Sequence, residues 1–205
     1  MPYKAVVFDM GDVLFRWTPQ LKTSLPVATL RDMAFSETWC DYEKGRLTTS
    51  QCYQKLGEQY GVSEDELAST FYQSTACLIP DPRMTELLRE LKGRGLAIYM
   101  MTNIPRRDFN QLRCTNYEWD LFDGIFASGY IGMRKPDHDF YQYVLREADV
   151  APAEAIFLDD QHKNVAAARE TGILGLLFEH ARKDEICDEL VDLLSRDPAA
   201  ESCIV

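Results

Sequence analysis

Val6-Val7-Phe8-Asp9-Met10-Gly11-Asp12-Val13-Leu14 decides the fold. The apolar run ahead of Asp9 has no polar alternation, as expected of a strand buried on both faces of a parallel sheet. An acid that follows such a strand cannot continue the core and is presented at the sheet's edge. Four more runs share this character, at 96–101, 124–127, 155–158 and 174–178. Between them Met84, Leu87, Leu88 and Leu91 repeat at helical spacing, as do Phe140, Tyr141, Val144, Leu145 and Ala148. Pro82, Pro105 and Pro136 are read as first-turn prolines, and Gly95 and Gly172 as left-handed stops. Strands alternating with helices predict an α/β, doubly wound parallel sheet, whose sites lie at the carboxyl ends of the strands.

The rhythm breaks once. About 85 residues separate the first strand from the second, far more than a crossover helix requires. Ser63-Glu64-Asp65-Glu66 reads as a capping box opening a helix toward Leu78. Gly61 reads as the stop of a helix from about Thr49, and an earlier helix is expected over 26–39. Residues 17–81 are therefore predicted to form a helical cap inserted into a core made of 1–16 and 82–205. The tail from Ser195 has little to pack against and is expected to be loose.

At 205 residues the chain is long enough for one domain with an insertion. Lysine and arginine total 22 against 33 acids, a formal charge of −11. That field disfavours nucleic acid and anionic membranes as partners. Cysteines at 40, 52, 77, 114, 187 and 203 form no CxxC pair and have no histidine near them, so neither zinc nor a disulfide framework is expected. The end, Ser202-Cys203-Ile204-Val205, has its cysteine third from the terminus, where a prenylation box needs it fourth. No apolar run is long enough to span a bilayer, and Met1-Pro2-Tyr3-Lys4 leads directly into a strand, so no leader is expected. These features together predict a cytoplasmic protein.

Four strand-end or loop positions carry candidate chemistry. They are Asp9, the pair Thr102-Asn103, Gly132-Met133-Arg134-Lys135-Pro136, and Asp159-Asp160 with Asn164 four residues on. In order and spacing they resemble the motifs of the haloacid dehalogenase-like hydrolases. The resemblance is greatest to small-capped phosphatases such as sugar-phosphate phosphatases and the phosphatase domain of bifunctional epoxide hydrolases. It implies Asp9 as nucleophile, Thr102 and Lys135 holding phosphoryl oxygens, and Asn103 orienting substrate. It also implies Mg²⁺ bound by Asp9, Asp160 and the carbonyl of Gly11, with Asp159 in support, and a small organic phosphate as substrate. Elementary electrostatics agrees. Two carboxylates about 4 Å apart repel by roughly 4 kcal/mol at an effective dielectric near 20, so converging acids need a cation, and hard oxygen ligands suit Mg²⁺.

One departure stands out: Gly11 occupies the position where these phosphatases usually carry an acid that protonates the leaving group. Such an acid is worth about 10²–10⁴ in rate, so activated phosphates, sugar, acyl or diphosphate, are the expected substrates. A 2-haloacid dehalogenase would share the nucleophile and need no such acid, but its anionic substrate would meet surplus carboxylates. A non-catalytic binding protein on the same scaffold, and a phosphatase of prenyl phosphates suggested by the aromatic cap, are the further alternatives. In that cap Trp17, Met33, Phe35, Trp39, Tyr42, Phe71 and Tyr72 are expected mostly as core, one or two of them facing an apolar pocket. Arg134 is read as a solvated or structural charge and Asp12 as a turn residue.

Overall fold

The computed structural model describes residues 3–195. The chain runs β1 (Ala5–Phe8), β2 (Phe15–Trp17), α1 (Val27–Phe35), α2 (Glu37–Glu43), α3 (Thr49–Tyr60), α4 (Glu64–Ala76) and β3 (Leu78–Pro80). It continues with α5 (Pro82–Gly93), β4 (Ala97–Thr102), α6 (Arg106–Arg113), β5 (Gly124–Ala127), α7 (Ser128–Ile131) and α8 (His138–Ala148). Then follow β6 (Ala155–Asp159), α9 (His162–Glu170), β7 (Leu174–Leu177) and α10 (Lys183–Ser195). The predicted cysteine motif over 202–205 and the tail beyond Ser195 lie outside the described residues.

Five strands form a parallel sheet in the order β5-β4-β1-β6-β7. The central β1 is buried along its whole length, as is β6, which explains their unbroken apolar sequences. One face packs on Met84, Leu87, Leu88 and Leu91 of α5 and on α10. The other packs on Phe140, Tyr141 and Val144 of α8 and on Ala167 and Ala168 of α9. Sequence periodicity located α5 and α8.

The inserted stretch has its own apolar centre: Met33, Trp39, Tyr42, Tyr53, Leu56 and Phe71 are buried together. The chain leaves and re-enters the sheet through a short antiparallel ribbon, β2 against β3, with Arg16 opposite Ile79. The sequence gives no sign of this ribbon, because three residues are too few to show a period.

Several local expectations are corrected. The single helix over 26–39 is two helices, broken at Ser36, whose extended backbone and hydroxyl cap α2 by accepting from the Trp39 amide. Ser63 caps α4, but Glu66 turns away to accept from Ser24 and Thr23, and the reciprocal capping box is instead Thr48 with Gln51. Helix α4 stops at Ala76, short of Leu78, which belongs to β3. Gly61 is left-handed (φ 68°) as expected. Pro82 opens α5, whereas Pro105 is the residue before α6 and Pro136 lies two residues ahead of α8. No helix among the described residues is long and apolar enough to cross a membrane.

Candidate active site

Strand register brings the first two acids together. Phe8 stands opposite Leu158, and the Asp9 amide donates to the Leu158 carbonyl at 2.8 Å. The next residues along, Asp9 and Asp159, are therefore level at the carboxyl edge of the sheet. Thr102 closes β4 on the other side of β1 and is buried.

Lys135 enters from the loop after α7, which Gly132 turns at φ 82°, a left-handed geometry that favours glycine. The lysine is 1% exposed, and its Nζ donates to Asp9 Oδ1 at 2.5 Å and to Asp159 Oδ2 at 2.6 Å. Asn103 fixes its backbone from both sides: the Asn103 Nδ2 donates to the Lys135 carbonyl (2.9 Å), and the Lys135 amide donates to Asn103 Oδ1 (2.8 Å). Both heads of the Asn103 amide are thus occupied by the lysine's main chain, where the sequence suggests contact with substrate.

The two neighbouring acids differ. Asp159 is fully enclosed, and its oxygens accept from Lys135, from Asn164 Nδ2 (2.9 and 3.0 Å) and from the Gln161 amide (2.8 Å). Asp160 is half-buried, lines the cavity, and accepts from Gln161 Nε2 at 2.6 Å. Burial pushes Asp9 up to about 7, against the pull of Lys135 and with the push of Asp159 and Asp160. Burial and then Asp159 raise Asp160 to about 6. Burial alone would lower Lys135, but Asp159 and Asp9 outweigh it and hold the ammonium above its ordinary value.

One ammonium is therefore too little positive charge for three carboxylates. Asp9, Asp159 and Asp160 each offer an oxygen within 4.8 Å of the others, an all-oxygen donor set of the kind a hard divalent cation takes. Because Asp159 is already saturated with hydrogen bonds, Asp9 and Asp160 are the acids with room for a ligand.

These groups floor a cavity of about 530 Å³ between the sheet edge and the inserted helices. Gly11, Thr102, Asn103 and Lys135 reach it, and Trp17, Leu30, Phe35, Trp39, Phe71 and Ile104 give it apolar walls. Four of the cap aromatics thus face the cavity, more than the sequence suggests. Phe35 (65% exposed) and Tyr72 (55%) are surface residues and not core. Arg16 does not line the cavity, and Asp12 uses Oδ1 to accept from the Trp17 amide in a left-handed turn. A Cβ placed on Gly11 would meet nothing within 4 Å, so the missing acid reflects sequence, not lack of space.

A second charged pair at the cavity is only half legible in the sequence. Arg134 Nε donates to Glu43 Oε2 at 3.0 Å and its Nη2 stands 2.9 Å from the same oxygen, joining α2 of the insertion to the lysine loop, and both side chains are largely buried. Burial raises Glu43 against the pull of Arg134. Arg134 is structural, as expected, but the sequence does not show its partner.

A family model described as haloacid dehalogenase-like hydrolase matches residues 3–172. The chain is 55% identical over 174 residues to the sesquiterpene phosphatase astK of Aspergillus oryzae, covering 85% of this chain and 89% of that one. It is 37% identical over 193 residues to the drimenol cyclase drtB of Aspergillus calidoustus, covering 93% of this chain but 36% of the cyclase. A family enzyme from Bacteroides thetaiotaomicron, solved with magnesium and inorganic phosphate, shares the fold at a TM-score of 0.68 and 21% identity. That superposition covers 86% of this chain and 94% of that one.

Proposed function

The chain belongs to the haloacid dehalogenase-like hydrolases and is a phosphatase, and we propose that it dephosphorylates a prenyl-derived, sesquiterpenoid phosphate through Asp9 with Mg²⁺. The observation that carries the proposal is the convergence of Asp9, Asp159, Asp160 and Lys135 beneath an apolar cavity of about 530 Å³. The similarity to a sesquiterpene phosphatase and to part of a drimenol cyclase supports the substrate class. Residues 17–81 serve in this proposal as the cap over a core of 1–16 and 82–205, supplying the aromatic wall. A cytoplasmic setting belongs to the same proposal, supported by Cys40, Cys52, Cys77, Cys114 and Cys187 standing as free thiols.

Asp9 is the nucleophile: its carboxylate oxygen bonds to phosphorus as the bond from phosphorus to the alcohol oxygen breaks, and the departing oxygen takes its proton from water. Water then cleaves the aspartyl-phosphate and regenerates the carboxylate. Lys135, kept protonated by two carboxylates, faces the charge spreading over the phosphoryl oxygens, and the Thr102 hydroxyl donates to one of them. Asn103 positions Lys135, and Asp159 with Asn164 anchors its ammonium. Asp9, Asp160 and the Gly11 carbonyl would hold Mg²⁺, which when bound supplies the positive charge that the three acids lack.

Gly11 offers no proton to the leaving oxygen, so the rate is set by that oxygen's own acidity. The 2-haloacid dehalogenase alternative is less well supported, because an anionic haloacid would approach three acids balanced by one lysine. A non-catalytic role would not need a lysine buried between two carboxylates.

Phosphate release from farnesyl phosphate, glucose 1-phosphate and p-nitrophenyl phosphate, with and without Mg²⁺, tests the proposal. It predicts that farnesyl phosphate has a higher kcat/KM than glucose 1-phosphate and a lower KM than p-nitrophenyl phosphate, and that chelation abolishes turnover. Preference for the sugar phosphate, or full activity in chelator, contradicts it.

A further inference from the structure

Away from the Asp9 cluster, one buried acid in the cavity wall has no partner. Asp108, in the first turn of α6, is 2% exposed, makes no hydrogen bond among the described residues, and has Oδ1 buried and unpaired. It nevertheless lines the cavity. Arg107 Nη1 stands 3.9 Å from that oxygen, too far for a hydrogen bond, and donates to the Tyr53 hydroxyl at 2.5 Å. Leaving a buried polar group unmatched costs about 1–3 kcal/mol, and more for a charge. The other enclosed acids avoid this cost: Asp159 and Glu43 are paired, and Asp81 takes Lys183 and the α5 amides.

Asp108 is not a substitute for the acid missing at Gly11. The charges that act on it are Arg107 and Glu43, whereas those acting on Asp9 are Lys135, Asp159 and Asp160. Both acids line one cavity, whose apolar walls include Trp39, Phe71 and Ile104. A phosphate held at Asp9 leaves its hydrocarbon in the cavity that Asp108 lines. Burial raises Asp108 to about 7, with Arg107 pulling it down and Glu43 pushing it up, so near neutral pH it can accept or donate a hydrogen bond. A hydroxyl does both, and suits either form.

We propose that Asp108 is a specificity-determining residue that receives a hydroxyl carried on the hydrocarbon part of the substrate. This rests on the prenyl-phosphate reading above. A site with a buried polar group discriminates strongly against an analogue that leaves it unpaired.

The test compares kcat/KM for farnesyl phosphate, its derivatives hydroxylated on either of the last two isoprene units, and p-nitrophenyl phosphate. Wild type, Asp108→Asn and Asp108→Leu are assayed with Mg²⁺. Wild type is expected to favour at least one hydroxylated derivative by about tenfold or more. Asp108→Asn should keep most of that preference. Asp108→Leu should lose it, the kcat/KM ratio of hydroxylated to plain farnesyl phosphate falling to about one. Should the leucine variant fail to fold, Asp108→Ala serves in its place. Hydrolysis of farnesyl phosphate with no hydroxyl preference, or a preference that survives in Asp108→Leu, overturns this proposal and leaves the prenyl reading standing. Hydrolysis of p-nitrophenyl phosphate but of no prenyl phosphate overturns both.

Discussion

The two ends of the cavity handle buried charge differently. At the sheet edge, Asp9 and Asp159 share one lysine, and Asp159 is also held by Asn164 and the Gln161 amide. At the other, Glu43 is matched by Arg134, while Asp108 has no hydrogen bond and only Arg107 at 3.9 Å. The first arrangement is set by strand register and is crowded with negative charge that a cation and a phosphate can use together. The second is set by helices of the insertion meeting α6, and it leaves one hydrogen-bonding site open in an apolar wall. On the proposals above, the difference assigns reaction chemistry to the sheet edge and substrate selection to the seam between the inserted helices and α6, and each can be tested separately.

The largest effect belongs to the sheet edge. Asp9→Asn should lower kcat by about 10⁴ or more, because no other group can supply the nucleophile. Its melting temperature should hold or rise, since Lys135 keeps Asp159 and one crowded carboxylate is gone. A marked fall in stability would mean that Asp9 is a structural anchor. At the cap end the pattern inverts: Glu43→Ala leaves Arg134 buried without its partner and should cost on the order of 3 kcal/mol in urea unfolding. A cost below about 0.5 kcal/mol would place the pair among surface ion pairs.

Asp108 gives a pH signature. Its raised value means that the folded state holds the proton more tightly than the unfolded chain, so its contribution to stability is full below about 4 and falls as pH climbs toward 7. Asp108→Asn imitates the protonated form. It should melt above wild type at both pH 5 and pH 8, with the gap wider at pH 8 by on the order of 2 kcal/mol. Equal melting at both values would show that the carboxylate has a partner. The smallest effect is at Gly11, where a side chain meets open space. Gly11→Asp should speed poor leaving groups about tenfold over good ones and flatten the dependence of rate on leaving-group acidity. An unchanged slope would mean that the position does not reach the leaving oxygen.

The core and its site were legible because a parallel sheet writes its strands as unbroken apolar runs. The acid, hydroxyl or amide ending such a run must then sit at the sheet edge. Asp9, Thr102 and Asp159 were found this way, and Lys135 by its Gly132-to-Pro136 context. The β2–β3 ribbon and the break at Ser36 were hidden by brevity, three residues in each strand and one at the break. Glu43 and Asp108 were hidden for another reason. An acid in a helix normally reads as solvated, and an acid in a first turn as favoured by the helix dipole. Nothing local distinguishes Asp108 from either, because its burial comes from the packing of α4 and its neighbours on α6. Asn103 was legible as a site residue but not as a clamp on the Lys135 backbone, a role that only the long-range contact reveals.

The most direct measurement is of Asp9 itself. Enzyme mixed with excess farnesyl phosphate and Mg²⁺, quenched in acid within one turnover and digested, should yield the peptide containing Asp9 heavier by one phosphoryl group. The same peptide from Asp9→Asn, or from enzyme quenched before substrate is added, should not carry that mass. An unmodified Asp9 peptide during steady turnover, or phosphate found on another residue, would contradict the assignment of this carboxylate as the nucleophile.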